Sequence, residues 1–277
     1  MKLTDTSRAM QRLDLTKPVG TELQGVKLTE LEDREIEELK RLVAERGVLF
    51  FRDQEMSLDE QVRIGRRLGE LHVHPAAVAP EGYPEVMEVH TDAQSKVTAG
   101  EYWHSDVSCD ERPPGLSMLR IEQTPPTGGD TVFASMYAAF ETLSPVMQEF
   151  LMGLSAVHSG DSYYRGRYGY DDSTRSYPEC EHPVVRTHPI SKRKALYVNS
   201  MFTYRITGLR SRESDALLEL LFDHVAYEVM NQVRFRWEPN SVALWDNRCV
   251  QHHASWDYFP ETRHGYRVTT RGERPFQ

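Results

Sequence analysis

The chain has 277 residues, of which 39% are hydrophobic and 27% charged, and a formal net charge of −9 at pH 7, a composition typical of globular proteins. An acidic chain without a basic patch is not expected to bind nucleic acid, and no apolar run is long enough to predict a membrane-spanning helix. No apolar leader opens the sequence, and Cys109, Cys180 and Cys249 form no CxxC motif, so we expect a cytoplasmic protein without disulfides or structural zinc.

The first part of the chain alternates strand and helix signals. The predicted elements are strands over residues 21–27 and 48–51 and helices over 32–46 and 57–69. The first helix has apolar residues at helical spacing and ends at Gly47. Ser57 and Glu60 form a capping box that begins the second helix.

Strand signals dominate the rest of the chain. The predicted strands cover residues 116–121, 132–133, 184–187, 195–198, 232–237, 241–245 and 264–270, with helices from Pro145 to about residue 151 and over 211–229. There is no βαβ alternation and no internal repeat, which favours a mainly β (α+β) fold with a double-stranded β-helix, or jelly-roll, core and flanking helices. No composition change marks a boundary, so we predict a single domain over residues 1–277.

Two segments have loop compositions. Residues 75–101 are rich in Pro, Gly and Ala around one strand-like run, 86–90, which predicts a long loop near the functional site. Residues 159–181 contain five tyrosines among Gly, Asp, Ser and Arg. Either a solvated loop or an aromatic lid over a ligand fits this second composition.

His104 and Asp106 are the first candidates for a metal site. If residues 102–107 are extended, both side chains lie on one face, and His252 could supply a second imidazole. Two histidines and one carboxylate on one face of a metal form the facial triad of non-haem Fe(II) oxygenases. A chance surface or core pair is the alternative explanation of a His-x-Asp motif.

His72 and His74 also alternate and could share a face. No carboxylate stands at a matching spacing, so a polar lining of a substrate pocket is the favoured interpretation for one of the two.

Five segments carry further characteristic residues, among them Trp-His-Ser-Asp and Thr-Gly-Gly-Asp-Thr. They are residues 69–75, 103–106, 127–131, 182–189 and 245–267. In this order, and over nearly the whole chain, they resemble the taurine dioxygenase (TauD/TfdA) family of Fe(II)- and 2-oxoglutarate-dependent oxygenases.

The resemblance implies roles for individual residues. His104, Asp106 and His252 match the iron ligands of the family, which uses Fe(II) with 2-oxoglutarate and O2 as cosubstrates. Related halogenases lack a carboxylate at the position of Asp106, so its presence favours oxygenation.

The resemblance also implies two anion-binding sites. Thr131 and Arg263 match the residues that hold the distal carboxylate of 2-oxoglutarate, in keeping with the bidentate recognition of carboxylates by arginine. Arg267 matches the arginine that meets the anionic group of the substrate, with His74 as its companion. Arg267 is also expected to act in catalysis and in cosubstrate binding.

The substrate positions depart from those of taurine dioxygenase itself. Ala77 and Gly100 match a tyrosine and an asparagine near the amino end of taurine, and their loss would enlarge the pocket. The residues that match the pocket lining are Val107, Tyr163, Tyr164 and Phe202. We therefore expect hydroxylation of a larger apolar or aromatic anion, with release of succinate and CO2, and we expect taurine to be a poor substrate. The expected anions are an alkyl or aryl sulfonate, a sulfate ester or a phenoxyalkanoate.

Two other functions fit the same residues. One is a biosynthetic oxygenase that hydroxylates, desaturates or epimerises an amino-acid-derived or secondary-metabolite carboxylate. The other is a metal-containing β-barrel binding protein without catalytic activity. The resemblance also implies a homo-oligomer, a dimer or a tetramer.

Overall fold

The computed structural model describes residues 11–77, 79–167 and 171–277. Within those ranges the strands are β1 (Gln11–Asp14), β2 (Thr21–Gln24), β3 (Val48–Phe51), β4 (Val86–Thr91), β5 (Pro114–Gln123), β6 (Thr131–Ser135), β7 (Ser155–Ser159), β8 (Glu179–Pro183), β9 (Val185–Thr187), β10 (Lys194–Leu196), β11 (Thr203–Ile206), β12 (Gln232–Phe235), β13 (Ser241–Asp246), β14 (Val250–Ala254) and β15 (Arg263–Arg271). The helices are α1 (Asp33–Arg46), α2 (Leu58–Leu68), α3 (Met136–Glu141), α4 (Pro145–Met152), α5 (Asp161–Tyr164) and α6 (Ser211–Tyr227), with short 3-10 turns at Leu28–Glu30 and Val229–Asn231.

The core is built from a large and a small sheet. The large sheet has the strand order β1-β2-β3-β13-β5-β15-β4, and the small sheet has the order β12-β6-β14. A second three-stranded sheet, β11-β7-β8, and the pair β9-β10 extend the structure. Every pairing between these strands is antiparallel except that of β2 with β3. This double-sheet arrangement with flanking helices is the predicted jelly-roll fold.

Aromatic side chains join the two sheets. Phe50 of β3 stacks on Phe235 of β12 with ring centroids 4.0 Å apart and meets Phe133 of β6 edge-on at 5.5 Å. Each such pair adds about 0.5–1.5 kcal/mol beyond the area that it buries. Phe133 also stacks against His252 at 5.9 Å, so the core packs directly against a predicted ligand.

Helices α1 and α2 cover the opposite face of the large sheet. The predicted capping box is present, because Ser57 accepts a hydrogen bond from the Glu60 amide and the Glu60 side chain accepts from the Ser57 amide. The first helix ends at Gly47, where φ is +76° and a Cβ would lie 2.6 Å from Cγ2 of Val250, so glycine is required there. In the described part of the chain no helix combines the length and apolar character needed to cross a membrane.

The predicted extended run over 102–107 is wrong. Only His104 pairs there, in a single antiparallel bridge with His252. The chain then turns over residues 106–109, and Val107 has a φ of +43°. His104 and Asp106 therefore converge through a turn and not through the alternation of a strand.

The two loop segments contain more regular structure than composition suggests. Residues 75–101 carry β4, one residue longer than the predicted run. Residues 159–181 contain α5 and the start of β8. Two of the five tyrosines, Tyr168 and Tyr170, lie outside the described residues. The first predicted strand stops at Gln24, because Gly25 takes a φ of +75° and redirects the chain.

Candidate metal and cosubstrate site

The backbone brings the three predicted metal ligands together. His252 lies on β14, and reciprocal hydrogen bonds of 3.1 and 2.8 Å join its backbone to that of His104. The two imidazole centroids are 4.0 Å apart, and Nε2 of His104 lies 3.7 Å from Oδ1 of Asp106. One ligand atom from each of the three residues falls within 4.8 Å of the others.

The protonation states of this cluster suit a divalent cation. Nδ1 of His104 lies 2.8 Å from the carbonyl oxygen of Tyr102, so it carries the proton and leaves the Nε2 lone pair free. Burial lowers the pKa of both His104 and His252. Burial acts to raise the pKa of Asp106, but attraction to the Arg267 guanidinium, with the hydrogen bond from Ser117, keeps that pKa below its usual value. Two neutral imidazoles and one ionised carboxylate are the ligand forms that a metal needs.

A buried polar chain fixes the Asp106 carboxylate. Ser117 of β5 donates a 2.7 Å hydrogen bond to Oδ2 of Asp106 and accepts one of 2.9 Å from the Asn247 amide group. Oδ1 of Asn247 accepts from the backbone N–H of Asp106 at 3.1 Å and from the Trp245 indole at 3.0 Å. Oδ2 is thus engaged, and Oδ1 is the oxygen that lies nearest the His104 ring.

Arg263 and Arg267 both extend from β15 into the same cavity. A register shift against β5 lies between His264 and Gly265, where a Cβ would come within 2.1 Å of the Arg120 carbonyl oxygen. Such a bulge re-aims the side chains beside it. Glycine is therefore required between the two arginines.

The Arg263 guanidinium is buried with spare hydrogen-bonding capacity. Its Nε donates to the Gly129 carbonyl oxygen at 3.1 Å, and Nη2 has no partner among the described residues. Burial lowers the pKa of this group. The Trp237 indole, 5.4 Å below the guanidinium, donates to Thr131 Oγ1 at 2.9 Å, which leaves the threonine proton to be donated elsewhere. An unsatisfied buried guanidinium beside a free hydroxyl suits a carboxylate.

Arg267 lines the cavity beside the candidate metal cluster. Its Nη1 is 2.5 Å from Oδ1 of Asp106, and its Nη2 is 3.1 Å from the Met87 sulfur. Nε is buried and unpartnered in the described chain.

His74 is a neutral hydrogen-bond donor beside Arg267. Its Nδ1 accepts from the backbone N–H groups of Ala76 and Ala77 at 3.1 and 2.8 Å, so the ring proton must be on Nε2. Loss of contact with water, followed by repulsion from Arg267, lowers the pKa of His74 to about 3. Neither His74 nor His72 belongs to a metal-binding cluster in the described ranges, which supports the pocket-lining interpretation of His74.

One cavity joins these groups. It is lined by every predicted site residue: His74, His104, Asp106, Val107, Thr131, Tyr163, Tyr164, Phe202, His252, Arg263 and Arg267. Gly100 also lines it, whereas Ala77 lines a smaller adjoining cavity. The expectation that Ala77 enlarges the main pocket is therefore not supported by its position.

Three aromatic rings form one wall of the cavity. Tyr163, Tyr164 and Phe202 lie 5.5–5.8 Å apart, centroid to centroid. The Arg167 guanidinium lies 4.3 Å over the outer face of Tyr163 and bonds to Glu101 at 2.5 Å. Of the two interpretations of residues 159–181, an aromatic cover for a ligand fits Tyr163 and Tyr164 better than a solvated loop, because both line the cavity.

A family model described as taurine catabolism dioxygenase TauD, TfdA family matches residues 11–269 of this chain. The chain belongs to the TauD/TfdA family. A putative alpha-ketoglutarate-dependent sulfonate dioxygenase of Schizosaccharomyces pombe is 40% identical over 276 residues, 95% of this chain and 69% of that protein. An alpha-ketoglutarate-dependent sulfate ester dioxygenase of Pseudomonas putida is 36% identical, over 93% of this chain and 88% of its own length. The crystal structure of a putative alpha-ketoglutarate-dependent taurine dioxygenase from Burkholderia xenovorans superposes with a TM-score of 0.84 at 36% identity, covering 96% of this chain and 94% of that one.

As a member of the TauD/TfdA family, the chain is an Fe(II)- and 2-oxoglutarate-dependent dioxygenase. The membership decides against the non-catalytic binding protein. The buried deprotonated cluster and the unsatisfied guanidinium groups fit the metal and the cosubstrate that the family uses.

Proposed function

We propose that this dioxygenase hydroxylates a small apolar organic anion, with a sulfonate or sulfate ester as the preferred class and a phenoxyalkanoate as a further one. Turnover consumes 2-oxoglutarate and O2 and releases succinate and CO2. The observation that carries the proposal is a pair of buried arginines, Arg263 and Arg267, each with one guanidinium nitrogen that lacks a partner among the described residues, in a cavity that aromatic side chains also line. The names of the sulfonate and sulfate ester dioxygenases among its relatives support the same class.

His104, Asp106 and His252 are assigned to hold the iron. When bound, Fe(II) supplies the activation of O2 and the oxidation of a substrate C–H bond. The protein holds the carboxylate ionised and the imidazoles neutral. Burial of all three side chains keeps bulk water from the reacting atoms.

Thr131 and Arg263 are assigned to the distal carboxylate of 2-oxoglutarate. The Arg263 fork is fixed by its bond to the Gly129 carbonyl oxygen, and the Thr131 hydroxyl is fixed as a donor by the Trp237 indole. A carboxylate bound there satisfies Nη2 of Arg263, which no group in the described chain does. Burial of this pair makes each charge-assisted bond stronger than it would be in water.

Arg267 and His74 are assigned to the anionic group of the substrate. Nε of Arg267 and Nε2–H of His74 are both donors, and a sulfonate or sulfate offers three acceptor oxygens. Arg267 also touches the metal carboxylate, which places the bound anion close to the iron.

The remaining cavity surface suits an apolar chain or ring and not an amine. Asp106 is the only carboxylate among the described residues that line the cavity, and Arg267 and Ser117 already engage it. An ammonium group would therefore lose hydration without gaining an anionic partner among the described lining residues. This argument disfavours taurine and equally disfavours an amino-acid-derived carboxylate.

The test is succinate formation by the Fe(II)-reconstituted protein with matched pairs of anions. Hexanesulfonate and 6-aminohexanesulfonate share a length and differ in the amine, and hexyl sulfate and hexanoate vary the anion. We expect the highest kcat/KM for the apolar sulfonate or sulfate and no anion-dependent succinate from the His104→Ala variant. If the aminosulfonate or taurine reacts as well as hexanesulfonate, the substrate class proposed here is wrong.

We also infer that the enzyme acts as one domain over residues 1–277, in the cytoplasm and as a homo-oligomer. The family match over nearly the whole chain supports one domain. The three free cysteines are compatible with a reducing compartment. Exposed apolar side chains on α4 and after α6, including Val146 and Met230, supply a surface that a second copy could cover. Light scattering coupled to gel filtration tests the oligomer, and a monomer at micromolar concentration would contradict it.

A further inference from the structure

The outward face of the large sheet carries a second histidine–carboxylate cluster at its edge. The edge strand β4 pairs with β15 in antiparallel register, and His90 lies directly opposite His264. Glu88 precedes His90 by two residues and shares its face of β4. Met87 and Val89, which alternate with them, line the cavity on the other face. The sheet thus separates this cluster from the iron site.

The side chains of the cluster already converge. Nε2 of His264 lies 3.0 Å from Oε1 of Glu88, and the two imidazole centroids are 5.5 Å apart. One possible ligand atom from each of Glu88, His90 and His264 lies within 4.8 Å of the others.

These separations are close to those of a coordinated ion. Ligand atoms at about 2.0–2.1 Å from a tetrahedral zinc lie about 3.3 Å from one another, so no separation in the cluster has to contract by more than about 1.5 Å. The backbone pairing of β4 with β15 fixes the three Cα positions. The side chains are 45%, 45% and 20% exposed for Glu88, His90 and His264, so rotations of their outer bonds can supply the contraction.

Further carboxylates stand behind both imidazoles. Asp92 lies 3.1 Å from Nε2 of His90, and Glu122 of β5 lies 3.8 Å from Nδ1 of His264. A carboxylate behind a metal-binding histidine orients the ring and raises its basicity. Glu122 is also paired with Arg120 at 2.5 Å, so we assign it to this supporting role and not to ligation.

We propose that Glu88, His90 and His264 bind a divalent transition-metal ion of the zinc class, at a site separate from the iron. Two imidazoles select Zn²⁺, Ni²⁺ or Cu²⁺ over Mg²⁺ and Ca²⁺, which prefer oxygen ligands. Water completes the coordination on the exposed side. A bound ion joins the edge strand to β15, which carries Arg263 next to His264, and stabilises the native pairing of the two strands.

The test counts zinc in the full-length protein, stripped of metal and equilibrated with Zn²⁺ by dialysis. We expect two equivalents for the unmodified protein and one for the double variant His90→Gln/His264→Gln. The variant His104→Ala/Asp106→Asn is expected to keep the zinc equivalent bound at Glu88, His90 and His264, the outer site. A matched control, His224→Gln, replaces a half-buried histidine outside the cluster and is expected to keep both zinc equivalents.

Affinity measurements on single variants keep the proposal falsifiable if the double variant misfolds. His264→Gln and Glu88→Gln should each weaken zinc binding at the outer site by more than about tenfold. Tenfold is the lower end of the loss seen when a residue that supports a metal ligand is removed, and loss of a ligand itself should cost more. Circular dichroism checks that each variant is folded. An outer-site affinity that His264→Gln leaves unchanged overturns the proposal, as does a single zinc equivalent in the unmodified protein that is lost with His104→Ala/Asp106→Asn.

Discussion

Ser117 donates a 2.7 Å hydrogen bond to Oδ2 of Asp106, and both residues are buried. Asn247 donates to the same Ser117 hydroxyl oxygen, so the serine proton is committed to the carboxylate. One oxygen of Asp106 is thereby held away from the His104 ring, and the other is presented toward it. The Ser117 hydroxyl on Oδ2 and the Arg267 guanidinium on Oδ1 together orient the proposed metal carboxylate.

Ser117→Ala removes that orientation and leaves the three ligands in place. We expect Fe(II) affinity to fall about 10–100-fold, the range typical for partners of metal ligands, with partial recovery of kcat at saturating iron. Anaerobic Fe(II) titration and iron-dependent succinate formation measure the two effects. Ser211→Ala, at an exposed position at the start of α6, is the matched control. Unchanged iron affinity in Ser117→Ala would show that the hydrogen bond does not position Asp106.

The two cavity arginines are expected to bind different molecules, Arg263 the cosubstrate and Arg267 the substrate. Arg263→Lys keeps the charge but loses the fork, so we expect the KM for 2-oxoglutarate to rise about 10–100-fold, as for loss of a hydrogen bond to a charged group. Arg267→Lys should raise the KM for the anionic substrate by a similar factor. Arg34→Lys, at a side chain 87% exposed, should change neither. Equal effects of both cavity variants on both KM values would contradict the assignment.

The absence of a side chain at Gly100 is expected to leave the space that the His104 imidazole occupies. Its φ is +84°, and a Cβ there would lie 3.1 Å from Cε1 of His104. Gly100→Ala should therefore displace the imidazole or the loop, at a cost of about 1–3 kcal/mol, and lower kcat/KM about tenfold or more. Gly82→Ala is a close control, because Gly82 has a φ of +83° with no atom within 4 Å of the added Cβ.

The two glycine variants share the backbone strain and differ only in the contact. We expect both variants to lose melting temperature, Gly100→Ala more than Gly82→Ala, and only Gly100→Ala to lose activity. Equal activities would show that His104 does not depend on this space.

Stability is expected to fall on acidification because buried histidines are neutral in the folded protein. Burial lowers the pKa of His182 to about 4, below the value of about 6.5 in an unfolded chain. The unfolded state binds the extra proton first, so this contribution is complete above pH 6.5 and is lost as the pH falls toward 4, with a slope of about 1.4 kcal/mol per pH unit. Urea unfolding of the His182→Gln variant should show a shallower pH dependence over that window. An identical slope in variant and unmodified protein would contradict the account.

Local sequence signals were enough for much of the fold. The capping box at Ser57, the glycine ends of α1 and α2 and the apolar run of β3 are determined by neighbours in sequence, and the structure confirms them. The extended run over 102–107 failed because Val107 takes a positive φ, which no local pattern marked. The strand β14, which carries His252, was also missed, since its Val-Gln-His-His-Ala sequence lacks polar–apolar alternation.

The site was predictable where residue type and family motif coincide, and not where contacts are non-local. The three proposed ligands and both arginines could be named from the sequence, and the structure brings them to one cavity. Ser117 and Trp237 could not, because Ser117 meets Asn247 across 130 residues and Trp237 meets Thr131 across 106. The expected position of Ala77 was also not supported, since Ala77 lines the adjoining cavity.

The most direct test of the whole account is a crystal structure of the protein with Mn²⁺, an oxygen-stable substitute for Fe²⁺, 2-oxoglutarate and hexanesulfonate. The account predicts the metal on His104, Asp106 and His252, the distal carboxylate of 2-oxoglutarate on Arg263 and Thr131, and the sulfonate on Arg267 and His74. The alkyl chain should lie against Tyr163, Tyr164 and Phe202. A metal held by other residues, or a sulfonate bound outside this cavity, would contradict it.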